Sequence, residues 1–287
     1  MGSAVVDELL ADGHDVTGLA RSDQSAASLE AKGAQIRRGD LDDLDSIRSG
    51  AENADAVIHL ANKHDFAHPD VSNAAERAAV ETIGETLADS GRPFLLAAGV
   101  AGLAKGRPAT EDDTSSAHGP DSPRGGSENL ALEFVEQGVH TVSLRFAPTV
   151  HGTGDHGFIA AIAEVARQKG ISGYPGDGAN QWAAVHRLDA GRLVALGLWT
   201  APAGARLYAV AEQGVTTRDI AEAIGRSFGL PVASIAPEDV AEHFGWIGGF
   251  FAMTGSATST ATQKLLGWIP TGPTLIEDID SGAYSER

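Results

Sequence analysis

The chain has 287 residues, 42% hydrophobic and 21% charged, a composition that excludes a disordered or fibrous protein and predicts a globule with a substantial core. Asp and Glu outnumber Lys and Arg by 39 to 21, and the net charge of -18 argues against binding to nucleic-acid phosphates or anionic lipids. The absence of cysteine excludes disulfides, thiolate metal sites and cysteine nucleophiles.

The first half of the chain alternates helical patterns with short apolar runs, as in strand–helix–strand units of a parallel sheet. A helix is predicted over 3–11. The predicted strands that follow are 14–20, 34–38, 55–61, 93–98 and 140–146, and the helices are 23–32, 71–90 and 127–137. Residues 104–126 are rich in Gly, Pro, Asp and Ser, so we expect a long loop there.

The second half has shorter and more mixed elements. Helices are predicted over 158–168, 187–199, 216–228 and 237–244, with a strand over 205–211. No flexible linker separates the halves. The prediction is an α/β fold with a doubly wound parallel sheet, in which a nucleotide-binding domain over 1–150 carries a small α/β substrate lobe over 151–287, packed directly on it and interleaved with it.

The chain opens with the type of helix that ordinarily follows a glycine-rich turn in a nucleotide-binding sheet. Gly2 matches the last glycine of that turn, so the first strand and most of the glycine motif would precede Met1. We expect the sequence to be short by that strand, because a fold without its central strand would expose two sheet edges. The alternative is that residues 3–11 form an unrelated helix.

Polar positions follow three successive predicted strands, whose carboxyl ends meet at one edge of a parallel sheet. Arg21 stands where an acidic residue would bind the ribose of NAD, and its guanidinium suits the 2′-phosphate of NADP. Asp40 offers an acceptor for an adenine amino group, and Leu60-Ala61-Asn62 offers small residues and an amide. These positions predict NADP as the preferred cofactor with NAD as the alternative, unless Arg21 is simply a solvated side chain.

Several segments taken in order resemble the extended and atypical short-chain dehydrogenase/reductases of the NAD-dependent epimerase/dehydratase family. They are HDVTGLARS, RRGDLDD, DAVIHLAN, PFLLAAG, VSLRFAPTVHG, GDGANQWAAVHRLDAGRL and QKLLGWIPT. The resemblance runs from Gly2 to about Leu275 and implies a Rossmann sheet with NAD(P) along its carboxyl edge. With the residue pattern, it places the cofactor contacts at Gly2, Arg21, Ser22, Asp40, Leu41, Leu60, Ala61, Asn62, Ala97, Ala98, Pro148 and Val150, the last two beside the nicotinamide.

The chain departs from this family at the catalytic positions. In active members, a Tyr and a Lys four residues later move the proton, and a Ser or Thr orients the substrate. Here Arg124 and Glu128 stand at the matching spacing, and Ala97-Ala98-Gly99 offers no hydroxyl. The three tyrosines lie beyond the matching segment, at Tyr174, Tyr208 and Tyr284. These departures resemble the atypical members, which keep the cofactor fold without the standard triad.

Other groups could replace the lost acid. The catalytic candidates are Lys63, His64 and His151, each just beyond a predicted strand. The predicted substrate contacts are His151, His156, His186 and Arg187. These histidines could instead position loops, and His186 could cap the following helix. His64 and His68 have i, i+4 spacing, but Pro69 follows directly, so no metal site is predicted.

The leading hypothesis is NADP-linked oxidation or reduction of a small alcohol or carbonyl compound. The alternatives are epimerase or dehydratase chemistry on a nucleotide sugar, a non-catalytic NAD(P)-binding redox sensor, and a truncated product with poor cofactor affinity. We expect a cytoplasmic protein with a small-molecule substrate and no nucleic-acid or membrane partner. A homodimer through helices 71–90 and 127–137 is left open.

Overall fold

The computed structural model describes residues 1–65 and 68–285. Its helices are α1 (Gly2–Ala11), α2 (Asp23–Glu30), α3 (Leu44–Glu52), α4 (Pro69–Leu87), α5 (Ser127–Glu133), α6 (Phe158–Lys169), α7 (Arg187–Thr200), α8 (Thr217–Phe228), α9 (Val240–Phe244), α10 (Gly248–Phe251), α11 (Thr260–Leu266) and α12 (Leu275–Asp280). Its strands are β1 (Thr17–Ala20), β2 (Gln35–Arg38), β3 (Val57–His59), β4 (Pro93–Gly99), β5 (His140–Phe146), β6 (Thr149–His151), β7 (Ser172–Pro175), β8 (Gln181–His186), β9 (Arg206–Ala209), β10 (Glu212–Thr216) and β11 (Val232–Ile235). Short 3₁₀ turns cover Pro123–Gly126, Phe134–Gln137, Pro237–Asp239 and Gly245–Ile247.

A four-stranded parallel sheet in the order β3-β4-β5-β9 forms the centre of the molecule. Successive residues of β4 face opposite helix layers. Phe94 and Leu96 pack with α4, whereas Leu95 packs in the core that contains α1 and α7. Both faces of this sheet are covered, which explains why β4 is a continuous apolar run. The structure confirms the predicted α/β fold with a doubly wound parallel sheet.

The parallel sheet lies in two pieces. Strands β1 and β2 pair only with each other, in the register Thr17↔Gln35 to Ala20↔Arg38. Within the described ranges, no strand pairs with the second edge of β1 or of β3. The segments that follow β1 and β3 nevertheless line one cleft. The two pieces therefore lie side by side, with their carboxyl ends at the same edge.

Several strands are shorter than the sequence predicts. The predicted strand 14–20 contains only Thr17–Ala20, and 55–61 contains only Val57–His59. Each strand has one unpaired edge, so fewer residues make ladder hydrogen bonds. The sequence analysis also missed α3, although its apolar residues Leu44, Ile47 and Ala51 have helical i, i+3, i+7 spacing. The carboxylate of Asp43 caps this helix by accepting from the backbone N of Ser46 at 3.0 Å.

The second half contains two small sheets, β10-β8-β6 and β11-β7. Trp182 and Phe251 lie in its own apolar core with α6, α8 and α12. Strand β9 instead returns to the central sheet, where it pairs with β5. The boundary at residue 150 and the assignment of 151–287 to a substrate lobe stay predictions. In the part of the chain that is described, no helix combines the length and apolar character that a membrane crossing requires.

Candidate functional site

A cleft of about 490 Å³ opens at the carboxyl ends of β1, β2 and β3. It lies at the edge where open α/β sheets bind ligands. Its lining residues are Leu19, Arg21, Ser25, Gly39, Asp40, Leu41, Asp42, Ala61, Asn62, Lys63 and Asp65. Gly39 has φ +154° and lies so close to α3 that an added Cβ would be 2.6 Å from Oγ of Ser46. The backbone beside the cleft therefore requires glycine at this position.

Arg21 is a cation of the cleft that no carboxylate neutralises. It makes no hydrogen bond or ion pair with another residue within 1–65 or 68–285. By contrast, Lys63 donates to both carboxylate oxygens of Asp42 at 2.7 Å. A cleft of this size at the carboxyl ends of parallel strands could hold the adenosine part of a dinucleotide.

The predicted cofactor positions fall into three places. Those that line the cleft are Arg21, Asp40, Leu41, Ala61 and Asn62. Ser22 caps α2 beside it, with its Oγ 3.1 Å from the backbone N of Ser25. The others lie elsewhere: Gly2 begins α1, Leu60 packs on the core, Ala97 and Ala98 are in β4, Pro148 follows β5, and Val150 is in β6. The sequence analysis missed Leu19, Ser25, Gly39, Asp42 and Asp65, which carry no signal beyond their places next to strand ends.

Arg124 occupies the position of the expected tyrosine, and it is held by a buried carboxylate. Its Nη2 lies 2.5 Å from Oε1 of Glu76, and its Nε lies 3.2 Å from Oε2. The Glu76 side chain is 1% exposed, whereas that of Arg124 is 40% exposed. Asn62 also donates to Oε2 of Glu76 at 2.8 Å. Glu76 thereby links Arg124 to a residue that lines the cleft.

The backbone at Arg124 has a left-handed conformation, which positions its side chain for the ion pair with Glu76. Arg124, Gly125 and Gly126 are three successive residues in the left-handed region, with φ of 54°, 61° and 64°. An added Cβ at Gly125 would lie 2.7 Å from the carbonyl O of Asn73 in α4. Arg77 also donates to the Gly125 carbonyl at 2.8 Å. Such strain persists only where surrounding contacts enforce it, as is common at functional sites.

Glu128, at the position of the expected lysine, does not pair with Arg124. It turns into the core, where its Oε1 lies 2.6 Å from Nε of Arg145 and 2.5 Å from Oγ of Ser143. Arg145 is completely buried in β5 and also donates to the hydroxyl of Tyr208 at 3.0 Å. Arg124 and Glu128, which stand at the positions of the tyrosine and the lysine, therefore do not contact each other as a pair. The cause is the buried guanidinium of Arg145, which needs a carboxylate partner.

Two histidines lie in the field of Arg124. Burial and the Arg124 guanidinium lower the pKa of His59 to about 4, so this imidazole is neutral at pH 7. Partial burial lowers the pKa of His64, and the charges of Arg124 and Arg21 lower it further. The charges of both guanidinium groups reach His64. Of the three catalytic candidates, only Lys63 and His64 are near the cleft.

His151 belongs to a different cluster and is fully buried. Its Nδ1 lies 2.5 Å from Oδ2 of Asp278 in α12. Its ring meets that of His186 edge-on, with 5.6 Å between centroids. Burial lowers the pKa of His151 although Asp278 opposes this shift. Its roles as catalyst and substrate contact stay predictions.

The other predicted substrate residues lie around the start of α7 and the loop before α6. The Nδ1 atom of His186 accepts from the backbone N of Leu188 at 3.4 Å, which caps α7. Arg187 donates to the carbonyl of Thr153. His156 is exposed in the loop between β6 and α6. The structure brings His186 beside His151 but leaves substrate contact by all four residues a prediction.

Comparison with known proteins gives relatives over nearly the whole chain. Residues 1–91 match the model of the NAD(P)H-binding family. The uncharacterized protein C2A9.02 of Schizosaccharomyces pombe is 41% identical over 285 residues, which cover 99% of this chain and 96% of that protein. The uncharacterized protein YLL056C of Saccharomyces cerevisiae is 40% identical over 283 residues, which cover 97% of this chain and 94% of that protein.

Solved structures share the fold at lower identity. The UDP-glucose 4-epimerase of Thermotoga maritima, solved with UDP-glucose, is 20% identical with a TM-score of 0.77, and the match covers 99% of this chain and 94% of the enzyme. The dTDP-glucose 4,6-dehydratase DesIV of Streptomyces venezuelae, solved with NAD, is 20% identical with a TM-score of 0.76, and the match covers 98% and 92%. At this identity the two enzymes show the Rossmann-like fold alone.

Proposed function

The chain belongs to the same family as the uncharacterized yeast proteins C2A9.02 and YLL056C, and its residues 1–91 match the NAD(P)H-binding family. From this we propose that it is an atypical short-chain dehydrogenase/reductase, an NADP-linked oxidoreductase of a small carbonyl compound or alcohol. The observation that carries the proposal is Arg21, the uncompensated cation of the cleft beside β1. A guanidinium at the end of this strand is suited to the 2′-phosphate that distinguishes NADP from NAD. The cleft also supplies Asp40 as an acceptor for the adenine amino group.

The chemistry divides between the cofactor and the chain. When bound, NADP(H) would supply the hydride chemistry. Arg124 is the candidate donor to the substrate oxygen, because a fixed guanidinium stabilises negative charge as it develops there. Glu76 neutralises Arg124 at rest and holds it in place, so the pair favours a neutral carbonyl that becomes charged only in the transition state. His64, whose pKa is lowered by burial and by the charges of Arg124 and Arg21, is the candidate group for transferring the proton to or from that oxygen.

The experiment is a calorimetric titration of the full chain with NADPH and with NADH. We expect NADPH to bind more tightly, and Arg21→Ala to weaken NADPH binding about 10- to 100-fold with little effect on NADH. Arg48→Ala is the matched control, since Arg48 is on α3 and its nearest ion-pair partner is Glu85 at 4.0 Å. Equal affinity of the wild-type chain for the two cofactors would contradict NADP preference. Failure of both to bind at millimolar concentration would contradict the cofactor assignment itself.

Turnover is tested separately, by following NADPH absorbance with a panel of aldehydes and ketones. We expect reduction that falls at least tenfold in Arg124→Met, because removal of one preorganised donor typically costs this much or more.

A non-catalytic NAD(P)-binding redox sensor is the second candidate. It is favoured by Glu128, which is committed to Arg145 in the core and cannot assist a proton transfer at the cleft. Tight NADPH binding without turnover of any carbonyl in the panel would support the sensor and contradict the enzyme.

A further inference from the structure

An ion pair in the cleft joins the segments that follow β2 and β3. Lys63 follows β3, and its Nζ lies 2.7 Å from both carboxylate oxygens of Asp42, which follows β2. Both residues line the cleft. The Lys63 side chain is 22% exposed, whereas that of Asp42 is 66% exposed. The lysine is therefore largely enclosed by the cleft, and its partner is mostly in solvent.

The carboxylate of Asp42 is not needed for the local fold. Within residues 1–65 and 68–285 it accepts hydrogen bonds from Lys63 alone. The turn around it is formed by Asp40 instead, whose Oδ1 accepts from the backbone N of Asp42 at 2.9 Å. An exposed carboxylate that leaves an ion pair is rehydrated, so such pairs contribute little to stability. The ammonium can therefore change its partner at a small cost in free energy.

The charges of the cleft show why this ammonium matters to an anionic ligand. The lining side chains carry two positive and three negative charges, on Arg21, Lys63, Asp40, Asp42 and Asp65. A dinucleotide with a 2′-phosphate and a 5′-diphosphate brings further negative charges into this field. Phosphate oxygens accept charge-assisted hydrogen bonds from lysine ammonium groups. Release of Lys63 from Asp42 would therefore give the ligand a second cation besides Arg21.

We propose that Lys63 exchanges Asp42 for a phosphate group of the bound dinucleotide. This inference rests on the proposed function and adds a second phosphate-binding residue, on the other piece of the sheet from Arg21. Asp42 is then the resting partner of Lys63. It holds the ammonium in the cleft while no dinucleotide is bound, and it returns to solvent when a phosphate takes its place.

The alternative is that the ion pair is only a fixed tie between the two pieces of the sheet. Loss of either partner would break such a tie, so Lys63→Met and Asp42→Asn would have the same effect on binding. An exchangeable lysine predicts opposite effects. Loss of the ammonium removes a phosphate partner, whereas loss of the carboxylate frees the ammonium for the phosphate.

The test is a calorimetric titration of the full chain and its variants with NADPH, with adenosine as the phosphate-free ligand. We expect Lys63→Met to weaken NADPH binding about tenfold and Asp42→Asn to tighten it about threefold. Adenosine binding should be unchanged in both variants.

The chain offers a matched control pair outside the cleft lining. Lys32 also contacts both carboxylate oxygens of an aspartate, Asp7, at 2.6 Å, and its side chain is 24% exposed. Lys32→Met and Asp7→Asn make the same changes of charge away from the ligand. Because salt screens such charges, both should leave NADPH binding almost unchanged.

The outcomes separate the exchange from the proposed function. Weaker NADPH binding in both cleft variants, or unchanged binding in Lys63→Met, would overturn the exchange while cofactor binding stands. An equal loss of adenosine affinity in Lys63→Met would also overturn it, because the lysine would then only shape the cleft. If NADPH does not bind to the wild-type chain, the proposed function fails, and the same variants are titrated with ADP. ADP binding that Lys63→Met weakens and Asp42→Asn tightens would then support the phosphate site, and any other result would overturn it.

Discussion

Glu76 holds Arg124 across 48 positions of the chain, with 2.5 Å between Oε1 and Nη2. The carboxylate is on α4 and almost fully buried, and the arginine belongs to the left-handed turn before α5. The pair joins two elements that the sequence does not connect locally. It also leaves the outer side of the guanidinium accessible. Glu76 therefore has a structural role, whereas Arg124 is accessible to a ligand.

The first prediction concerns this ion pair. Arg124→Met leaves the Glu76 carboxylate buried without its charge partner, and we expect the free energy of unfolding to fall by about 2 kcal/mol. That value is below the range for fully buried pairs because Arg124 is half-exposed. The double variant Arg124→Met/Glu76→Gln removes the unpaired charge and should recover most of the loss. Urea unfolding measures both, and equal destabilisation of the single and double variants would contradict the ion-pair argument.

The second prediction concerns the position of the family lysine. Glu128→Lys would place an ammonium against the buried guanidinium of Arg145, and we expect a loss of at least about 3 kcal/mol in unfolding free energy. Glu133→Lys, at an exposed position of the same helix, is the matched control and should change it by less than about 0.5 kcal/mol. If the two variants have the same stability, Arg145 and Glu128 do not depend on each other.

The third prediction is a pH dependence from His59. Its pKa is about 4 in the folded chain against 6.5 in the unfolded chain, so below pH 6.5 the unfolded chain takes up a proton that the folded chain does not. The contribution of His59 to the free energy of unfolding is therefore complete above pH 6.5 and is lost as the pH falls towards 4. Between pH 7 and pH 5 we expect the advantage of wild type over His59→Leu to fall by about 2 kcal/mol. His156→Leu, on the exposed loop, controls for the loss of an imidazole, and a pH-independent difference for His59→Leu would refute the assignment.

The fourth prediction concerns the left-handed turn. Gly125→Ala brings a Cβ within 2.7 Å of the Asn73 carbonyl, whereas Gly170 has a similar φ of +68° and no atom within 4 Å of an added Cβ. Both substitutions incur about 1 kcal/mol for left-handed backbone, and only Gly125→Ala adds the clash, which costs about 1–3 kcal/mol more. Thermal or urea unfolding compares them. A Gly170→Ala variant as unstable as Gly125→Ala would show that the contact with α4 is unimportant.

The sequence predicts the apolar strands best, because burial on both faces leaves an unmistakable run. Strand β5 begins at His140 and ends at Phe146, as predicted. The short strands β6, β7, β8, β10 and β11 were not predicted, since three to six residues of mixed polarity also occur in loops. Their pairing depends on contacts between distant segments, which local patterns do not encode.

The residues of the candidate site were likewise predictable from the sequence only in part. Residues after strand ends, such as Arg21 and Asn62, could be placed because parallel strands bring their carboxyl ends together. The role of Glu76 could not be predicted, because a glutamate in a helix normally indicates a solvated face. Its burial follows from Arg124, which the fold brings to it. Arg145 did carry a signal, since a charged residue inside an apolar strand requires a buried partner, but the sequence does not name Glu128 as that partner.

The division of the parallel sheet has a consequence for local stability. The β1–β2 piece lacks ladder hydrogen bonds to β3, so it can open without breaking the central sheet, and its amides should exchange with solvent sooner than those of β4 and β5. A dinucleotide in the cleft would contact Arg21 on one piece and Asn62 beside the other. Because it would contact both pieces, it would stabilise their docked arrangement, by about 2.7 kcal/mol at a ligand concentration 100 times Kd. Under the proposed function, the cofactor concentration would then determine how often the β1–β2 piece opens.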